Sequence, residues 1–228
     1  MTGRRSDPFR VRVRGDLACF TRPEMKVERV SYEVMTPSAA RGVLEAILWK
    51  PQILWHVHAV EVLAPIRWMS FRRNEVQSRA SSRAGEILAD EDRTQRNTVA
   101  LRDVDYVVEA SFVLTDRVDA GDSVAKYVEM FLRRLRKGQQ HHAPYLGCRE
   151  FAAVVEAAEG SPPPEDSGDR PLGLMFYDFD WPGFVGGPIE PLAEKESVRP
   201  LFFPARLLRG VMHVPMRSEV RAMAEAPP

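Results

Sequence analysis

The alternation of apolar and polar residues along the chain predicts four β-strands. In residues 9–14, Phe and Val alternate with three Arg, so the apolar side chains face one way and the cations the other. The same period of two recurs in residues 53–63 and 103–114, and residues 151–157 are predicted as a short fourth strand. The three Arg of the first strand indicate either a solvated face or a face that follows a phosphate backbone.

A capped helix is predicted for residues 34–51. Thr36 can accept a backbone N–H as the N-cap, and Pro37 suits the first helical position because no N–H is needed there. Apolar residues then recur at helical spacing until Pro51, which cannot continue the helix. Gly42 costs this helix about 1 kcal/mol relative to Ala. It therefore indicates either tight packing on a sheet, which we favour, or the close approach of a ligand or nucleic-acid backbone.

A second helix is predicted for residues 122–137. Asp122 or Ser123 can cap its start, and Gly138 suits the position just after its end. Helical spacing places three cations along one flank: Lys126, Arg133 and Lys137. The positive end of the helix favours a phosphate near its first turn.

The order of these elements predicts an α+β fold. Strand, helix, strand, strand, helix, strand is the ferredoxin-like βαββαβ arrangement that RNA-recognition modules also use. Residues 71–101 follow the second strand and show no sustained period, so they are predicted as a long loop that is either a functional arm or disordered. This first domain spans residues 1–159. Residues 160–168 form a linker rich in Pro, Ser and acidic residues, and residues 169–228 a small antiparallel β subdomain with a turn at 184–188.

Composition narrows the class of protein further. The chain has 32 Lys and Arg against 32 Asp and Glu, so its net charge is zero. Basic residues are nevertheless concentrated in residues 126–149, and a local basic surface can attract an anion. The two cysteines lie far apart in the sequence, which argues against a zinc site or a disulfide framework. Since no apolar run reaches membrane-spanning length, we expect a cytoplasmic protein.

Five segments together resemble one known family. They are GDLACFTRPEMKVERVSYE (15–33), VMTPSAARGVLEAILWKP (34–51), RRNEV (72–76), QRNTVALRDVDY (95–106) and YLGCREF (145–151). In these segments the chain resembles the type I-C CRISPR-associated protein of the Cas "five" family, its c/d subtype. Members belong to the RAMP superfamily and cut precursor CRISPR RNA.

The resemblance implies a metal-independent endoribonuclease, so no metal and no cofactor are expected. Such a protein would cut precursor CRISPR RNA at the base of the repeat stem-loop and stay bound to the 5′ handle. It would then be a subunit of the type I-C surveillance (Cascade) complex in antiviral defence, beside the backbone and large subunits and with target duplex DNA as a further partner. The alternative is a subunit that only binds the handle and leaves cutting to another protein.

The family's catalytic set is a Tyr, a Lys and a His, and the corresponding residues here are Leu48, Lys126 and Tyr127. Without a metal, the ribose 2′-OH attacks the phosphate, so one group must take a proton and another must balance the developing charge. We therefore predict Lys126 as the source of charge and Tyr127 as a hydrogen-bond donor. His141 and His142 could transfer protons, although an exposed loop pair is the interpretation we favour.

The predicted RNA-binding residues are mostly Arg and Asn, which suit contact with phosphates and base edges. They are Lys26, Arg29, Arg72, Arg73, Asn74, Arg96, Asn97, Arg133, Lys137 and Arg149. A plain RNA-recognition module is a further alternative, but the first strands lack the aromatic-rich motif that stacks bases in such modules.

Overall fold

The computed structural model describes residues 4–78, 86–165, 168–180 and 198–225. These residues form a mixed α/β structure whose sheets are mostly antiparallel. The helices are α1 (Pro37–Ile47), α2 (Val124–Arg136) and α3 (Arg217–Glu225). The strands are β1 (Phe9–Ala18), β2 (Arg29–Val30), β3 (Ile53–Val62), β4 (Arg67–Val76), β5 (Arg93–Leu114), β6 (Val154–Ala157), β7 (Arg170–Asp180), β8 (Arg199–Leu207) and β9 (Val211–His213).

The 22-residue strand β5 is the axis of the larger sheet. Its C-terminal half lies between β1 and β3, and the strand order across the sheet is β6-β1-β5-β3-β9. Its N-terminal half pairs with β4 and, over two residues, with β2. Strands β7 and β8 form a separate two-stranded sheet. Because β5 belongs both to the core of the sheet and to the hairpin with β4, the sheet that holds the core fixes the position of that hairpin.

The predicted alternation in β1 is confirmed, and it separates core from surface. Val11 and Val13 are fully buried. The three Arg that alternate with these valines each lie within 4 Å of an acidic side chain: Arg10 of Glu61, Arg12 of Asp105 and Arg14 of Glu156. This face of β1 is therefore an ion-paired surface, and the expectation of a phosphate-following face is not supported.

Helices α1 and α2 begin at predicted caps. Thr36 accepts a hydrogen bond from the N–H of Ala39, and Ser123 accepts one from the N–H of Lys126. Of the two cap candidates for α2, Ser123 is the one used. Gly138 follows α2 with a φ of +61°, the left-handed conformation that favours glycine.

The prediction of a loop at residues 71–101 is wrong for residues 71–76 and 93–101, which are strands. Residues 67–76 and 93–102 form an antiparallel ladder that runs from Arg67 opposite Arg102 to Val76 opposite Arg93. Both faces of this hairpin carry polar side chains over most of its length, so the sequence shows no alternation of apolar and polar residues there. Backbone pairing to β5 supplies the order that the sequence pattern does not show. Residues 79–85 of this excursion lie outside the described residues.

The C-terminal part differs from a simple β subdomain. Helix α3 was not predicted, and β9 pairs with β3 of the larger sheet. The segment before β7 also contacts that sheet, since the N–H of Glu165 donates to the carbonyl of Val62 at 2.7 Å. The turn predicted at residues 184–188 lies outside the described residues. The division of the chain into two domains therefore stays a prediction.

Candidate nucleic-acid interface

The hairpin of β4 with the N-terminal half of β5, which we call the arm, exposes one polar face. Arg72 lies opposite Asn97 and Asn74 opposite Gln95, and directly opposite residues of an antiparallel pair share a face. All four are exposed, and Trp68, which is 45% exposed, extends the same face. The open face is defined here as Trp68, Ser70, Arg72, Asn74, Gln95 and Asn97. It carries no acidic side chain.

The opposite face of the arm holds an ion-pair cluster. The carboxylate of Glu75 lies 3.1 Å from Arg73, 3.5 Å from Arg29 and 3.6 Å from Arg96. Glu150, from the segment before β6, adds a second carboxylate that pairs with Arg29 at 3.3 Å and with Arg73. These three Arg side chains are only 19–30% exposed. Their charge is therefore largely balanced within the protein.

The predicted RNA-binding set is thus divided by the fold. Arg72, Asn74 and Asn97 lie on the open face, whereas Arg29, Arg73 and Arg96 belong to the ion-pair cluster. The remaining members are exposed elsewhere: Lys26 after a short 3-10 helix (Pro23–Met25), Arg133 and Lys137 on and after α2, and Arg149 before β6. Contact of each residue with RNA stays a prediction.

Sequence reasoning did not single out Trp68 or Gln95. The available signal was weak: Ser70, Arg72 and Asn74 are spaced by two, as are Gln95 and Asn97, in a stretch without apolar alternation. Only the pairing register shows that these two polar rows lie side by side and that Trp68 continues them.

Asp122 joins the two predicted catalytic residues at the start of α2. The ammonium of Lys126 and the hydroxyl of Tyr127 both donate to the same oxygen, Asp122 Oδ1, each at 2.7 Å. The side chain of Lys126 is 47% exposed, whereas Tyr127 is 3% exposed and packs its ring edge-on against Phe112. Lys126 can therefore meet a phosphate directly, while Tyr127 is part of the core.

These contacts fix the charge states. The hydrogen bond from Lys126, followed by those from the backbone of Asp119 and from Tyr127, lowers the pKa of Asp122 to about 2. Burial, and then the hydrogen bond to Asp122, raises the pKa of Tyr127 well above its ordinary value. At neutral pH Asp122 is a carboxylate of low basicity and Tyr127 a neutral donor, so neither is matched to general-base catalysis.

Leu48 is a structural residue. It is fully buried and forms the C-cap of α1, where its carbonyl accepts a hydrogen bond from the indole N–H of Trp55 at 3.1 Å. An alkyl side chain at this place packs against the core and offers neither a proton nor a charge.

The segment after α2 returns to the C-terminal end of α1. The N–H groups of His141 and His142 donate to the carbonyl of Ala46 at 2.6 and 3.3 Å, and Arg134 donates to the carbonyl of Ile47 at 2.7 Å. Both imidazole rings are exposed, with centroids 5.9 Å apart. This histidine pair therefore lies beside the helix end that carries Leu48.

A groove with a volume of about 280 Å³ opens along the N-terminal part of α1. Its lining includes Thr21, Ser38, Gly42 and Tyr145. A Cβ added to Gly42 would meet nothing within 4 Å, so the expected tight packing of this glycine on a sheet is wrong. The space beside Gly42 is open, and the approach of a ligand or nucleic-acid backbone to it stays a prediction.

Two properties of the described residues bear on the class of site. They contain no group of three or more His, Cys, Asp or Glu placed to hold a metal ion. None of the helices they form is long and apolar enough to cross a membrane.

Comparison with known proteins shows the family. Residues 9–215 match the model of the family described as CRISPR-associated protein (Cas_Cas5). The chain is 45% identical over 217 residues to the CRISPR pre-crRNA endoribonuclease Cas5d of Thermus thermophilus, covering 91% of each chain. It is 41% identical over 225 residues to the CRISPR pre-crRNA endoribonuclease Cas5d of Mannheimia succiniciproducens, covering 91% of this chain and 94% of the relative.

Solved structures agree with this result. A crystal structure of a CRISPR-associated protein is similar with a TM-score of 0.69 and 26% identity, covering 96% of this chain and 97% of the other. A functionally uncharacterized protein from Streptococcus mutans has the same fold, with a TM-score of 0.66, 24% identity and coverage of 94% and 95%. The chain belongs to the Cas5 family of CRISPR-associated proteins, in its Cas5d branch.

Proposed function

We propose that this protein is a precursor CRISPR RNA endoribonuclease that cuts at the base of the repeat stem-loop and stays bound to the 5′ handle. The observation that carries the proposal is the match over nearly the whole chain to two relatives that bear this activity in their names. The exposed cation at the start of α2 and the acid-free open face of the arm support it, since both suit an RNA partner.

The open face supplies a mode of RNA contact. Arg72 can bind phosphate, and the amides of Asn74, Gln95 and Asn97 can hydrogen-bond to base edges or sugars. Trp68 offers a flat aromatic surface on which an unpaired base can stack. The arm therefore suits a single-stranded segment flanking a hairpin, such as the handle.

In the chemical step, Lys126 balances the charge that develops when the 2′-OH attacks the phosphate. Its ammonium is exposed and can move from Asp122 to a phosphate oxygen without opening the core. Tyr127 can donate to the phosphate or to the leaving oxygen only by giving up its hydrogen bond to Asp122. Tyr127 is therefore the less accessible of the two predicted catalytic residues.

The general base is a separate question, and one observation favours a second candidate. His141 and His142 are exposed and held by backbone hydrogen bonds at the end of α1 that carries Leu48. Leu48 cannot transfer a proton, and a histidine beside it could act as a base where the RNA reaches the C-terminal end of α2, roughly 15 Å along the helix axis from Lys126. Imidazole is suited to proton transfer near neutral pH.

Cleavage of a labelled repeat hairpin in EDTA, under single-turnover conditions, tests the activity. We expect the wild type to cut and Lys126→Ala to cut about a hundredfold more slowly with nearly unchanged hairpin affinity, because one electrostatic contact in the transition state is lost. His141→Ala and His142→Ala test the base, with His213→Ala as the exposed control remote from this site. Binding without cleavage by the wild type would leave the alternative, a subunit that only caps the handle.

Arg72 and Arg73 provide a matched test of RNA binding, since they are adjacent in sequence and lie on opposite faces of the arm. Arg72→Gln should weaken hairpin binding and reduce the slope of log affinity against log salt by about 0.7–0.9, the value of one phosphate contact. Arg73→Gln breaks ion pairs with Glu75 and Glu150 and should leave that slope unchanged. Equal losses for both variants would contradict a role for the open face.

We also propose a ferredoxin-like core. Its support is the strand order β6-β1-β5-β3, with α1 and α2 as the connecting helices.

The proposed partners are the backbone and large subunits of a type I-C complex in the cytoplasm, with target duplex DNA as a further ligand. Co-purification of this chain with those subunits and a repeat-containing RNA tests the assembly. Purification of the protein with RNA alone would argue against it.

A further inference from the structure

The two cysteines of the chain, 129 positions apart, lie together in the structure. The N–H of Cys19, just after β1, donates to the carbonyl of Leu146 at 3.0 Å. The thiol of Cys148 points back to the carbonyl of Cys19, with 3.6 Å between sulfur and oxygen. Both are free thiols.

Gly147 makes this approach possible. Its φ is +83°, and a Cβ at this position would collide with the carbonyl of Cys19. Only glycine therefore allows the backbone before Cys148 to lie directly against the backbone of Cys19. The tertiary structure therefore holds together the two backbone segments that carry the thiols.

The surroundings of the two thiols are different. Cys148 is partly exposed, and its sulfur lies 3.6 Å from the guanidinium of Arg29, which favours a thiolate. Cys19 is fully buried and lies 3.5 Å from the hydroxyl of Thr21. The neighbouring thiol lowers the pKa of Cys148 and raises that of Cys19. Burial and Glu150 raise the pKa of Cys148, and Arg29 lowers it.

We propose that Cys148 is a hydroperoxide-reactive thiol and that Cys19 is its resolving partner. The thiolate of Cys148 attacks one peroxide oxygen, the O–O bond breaks, and the other oxygen leaves with a proton as water or an alcohol. Cys19 then attacks the sulfur of the resulting Cys148 sulfenic acid, the S–O bond breaks, and water leaves with the proton of Cys19. Two thiols are oxidised to one disulfide, and one peroxide is reduced.

The product would connect the end of β1 with the loop that carries Arg149 and Glu150. It also withdraws the Cys148 sulfur from Arg29, whose other partners are Glu75 of the arm and Glu150. The site is therefore a modification site next to the ion-pair cluster, and it does not depend on the activity proposed above.

Treatment of the reduced full-length protein with one equivalent of hydrogen peroxide, followed by trypsin digestion without reductant, tests the proposal. We expect a disulfide between the peptides 15–26 and 138–149, two hydrogen masses lighter than the sum of the two peptides and lost on addition of dithiothreitol. Before oxidation, iodoacetamide at pH 7 should label Cys148 at least about tenfold faster than Cys19.

Single variants separate the two roles. Cys19→Ser should stop at the sulfenic acid, which dimedone traps on Cys148, whereas Cys148→Ser should consume no peroxide. Arg29→Gln should slow alkylation of Cys148 several-fold. Arg22→Gln is the control, because Arg22 also lies near the end of β1 but pairs with Glu24. Faster labelling of Cys19, or a disulfide that forms only between molecules, would overturn the proposal.

Discussion

Asp122 explains how a tyrosine is accommodated at the start of α2. One oxygen of its carboxylate, Oδ1, accepts hydrogen bonds both from an exposed ammonium and from a buried hydroxyl. The same carboxylate thus serves a solvent-facing residue, Lys126, and a core residue, Tyr127. Their adjacency in sequence indicates a shared site, but their exposure assigns them different tasks.

Substitution at these two positions should separate stability from activity. Tyr127→Phe keeps the ring against Phe112 but leaves Asp122 without its buried donor, so we expect a loss of about 1–3 kcal/mol in the free energy of unfolding. Lys126→Ala breaks an ion pair whose ammonium is half-exposed, and it should cost about 1 kcal/mol. Urea denaturation of both variants measures the difference. A fully stable Tyr127→Phe protein that no longer cuts RNA would instead place Tyr127 at the substrate.

At the scale of single elements, two helices have a glycine in open space: α1 contains Gly42, and α2 is followed by Gly138. A Cβ would meet nothing within 4 Å at Gly42, inside α1, or at Gly138, after α2. Only Gly138 has a positive φ, at +61°. The two positions therefore differ in backbone conformation and not in packing.

Alanine substitution should change stability in opposite directions at these two sites. Gly42→Ala should stabilise the protein by about 0.5–1 kcal/mol, because Ala loses less backbone entropy in a helix. Gly138→Ala should destabilise it by about 1 kcal/mol, because Ala is strained in the left-handed conformation. Thermal or urea unfolding provides the measurement, and hairpin affinity of Gly42→Ala shows in addition whether the groove accepts RNA. Destabilisation by Gly42→Ala would show that the helix is more crowded than its surroundings indicate.

The arm shows what pairing adds to a sequence without a pattern. Its residues include too few apolar side chains to bury a face of their own, and strands this polar are marginal in isolation. Extension of β5 beyond the core provides a template, and β4 pairs along it. Phe71 against Phe151 and the ion-pair cluster then hold one face to the rest of the protein, so the other remains free for a ligand.

For the molecule as a whole, two partly buried histidines of β3 connect folding with pH. Burial lowers the pKa of His56 to about 4, with smaller effects in the same direction from Arg5, His58 and Arg217. Burial also lowers the pKa of His58, whose Nε2 lies 2.8 Å from the hydroxyl of Ser111. Glu109 raises the pKa of His58 and Arg5 lowers it, and both effects are smaller than that of burial.

Stability should therefore fall as the pH falls from about 6.5 toward 4. In that range the unfolded chain binds protons at these histidines that the folded protein does not, so each contributes a slope of at most about 1.4 kcal/mol per pH unit. His56→Gln should flatten the curve of unfolding free energy against pH, whereas His213→Gln, at an exposed position, should leave it unchanged. Parallel curves for wild type and His56→Gln would contradict the role of His56.

The sequence by itself determined the core elements. Local rules suffice where the pattern is local. Alternation in β1, β3 and the C-terminal half of β5, the cap at Thr36 and the choice of Asp122 or Ser123 as the second cap all depend on residues a few positions apart. The resemblance in five segments likewise indicated the family before any geometry was known. Lys126 could also be named from the sequence, because the resemblance places it at the position of the family's lysine, in the first turn of a capped helix.

Only the tertiary structure decided which of the named residues are available. Arg72 and Arg73 are equivalent in the sequence, yet the register of β4 on β5 exposes one and pairs the other with Glu75 and Glu150. Tyr127 is buried because α2 packs onto the sheet, and Cys19 meets Cys148 because the loop before β6 crosses the end of β1. Each outcome depends on contacts between distant parts of the chain, which no local pattern encodes.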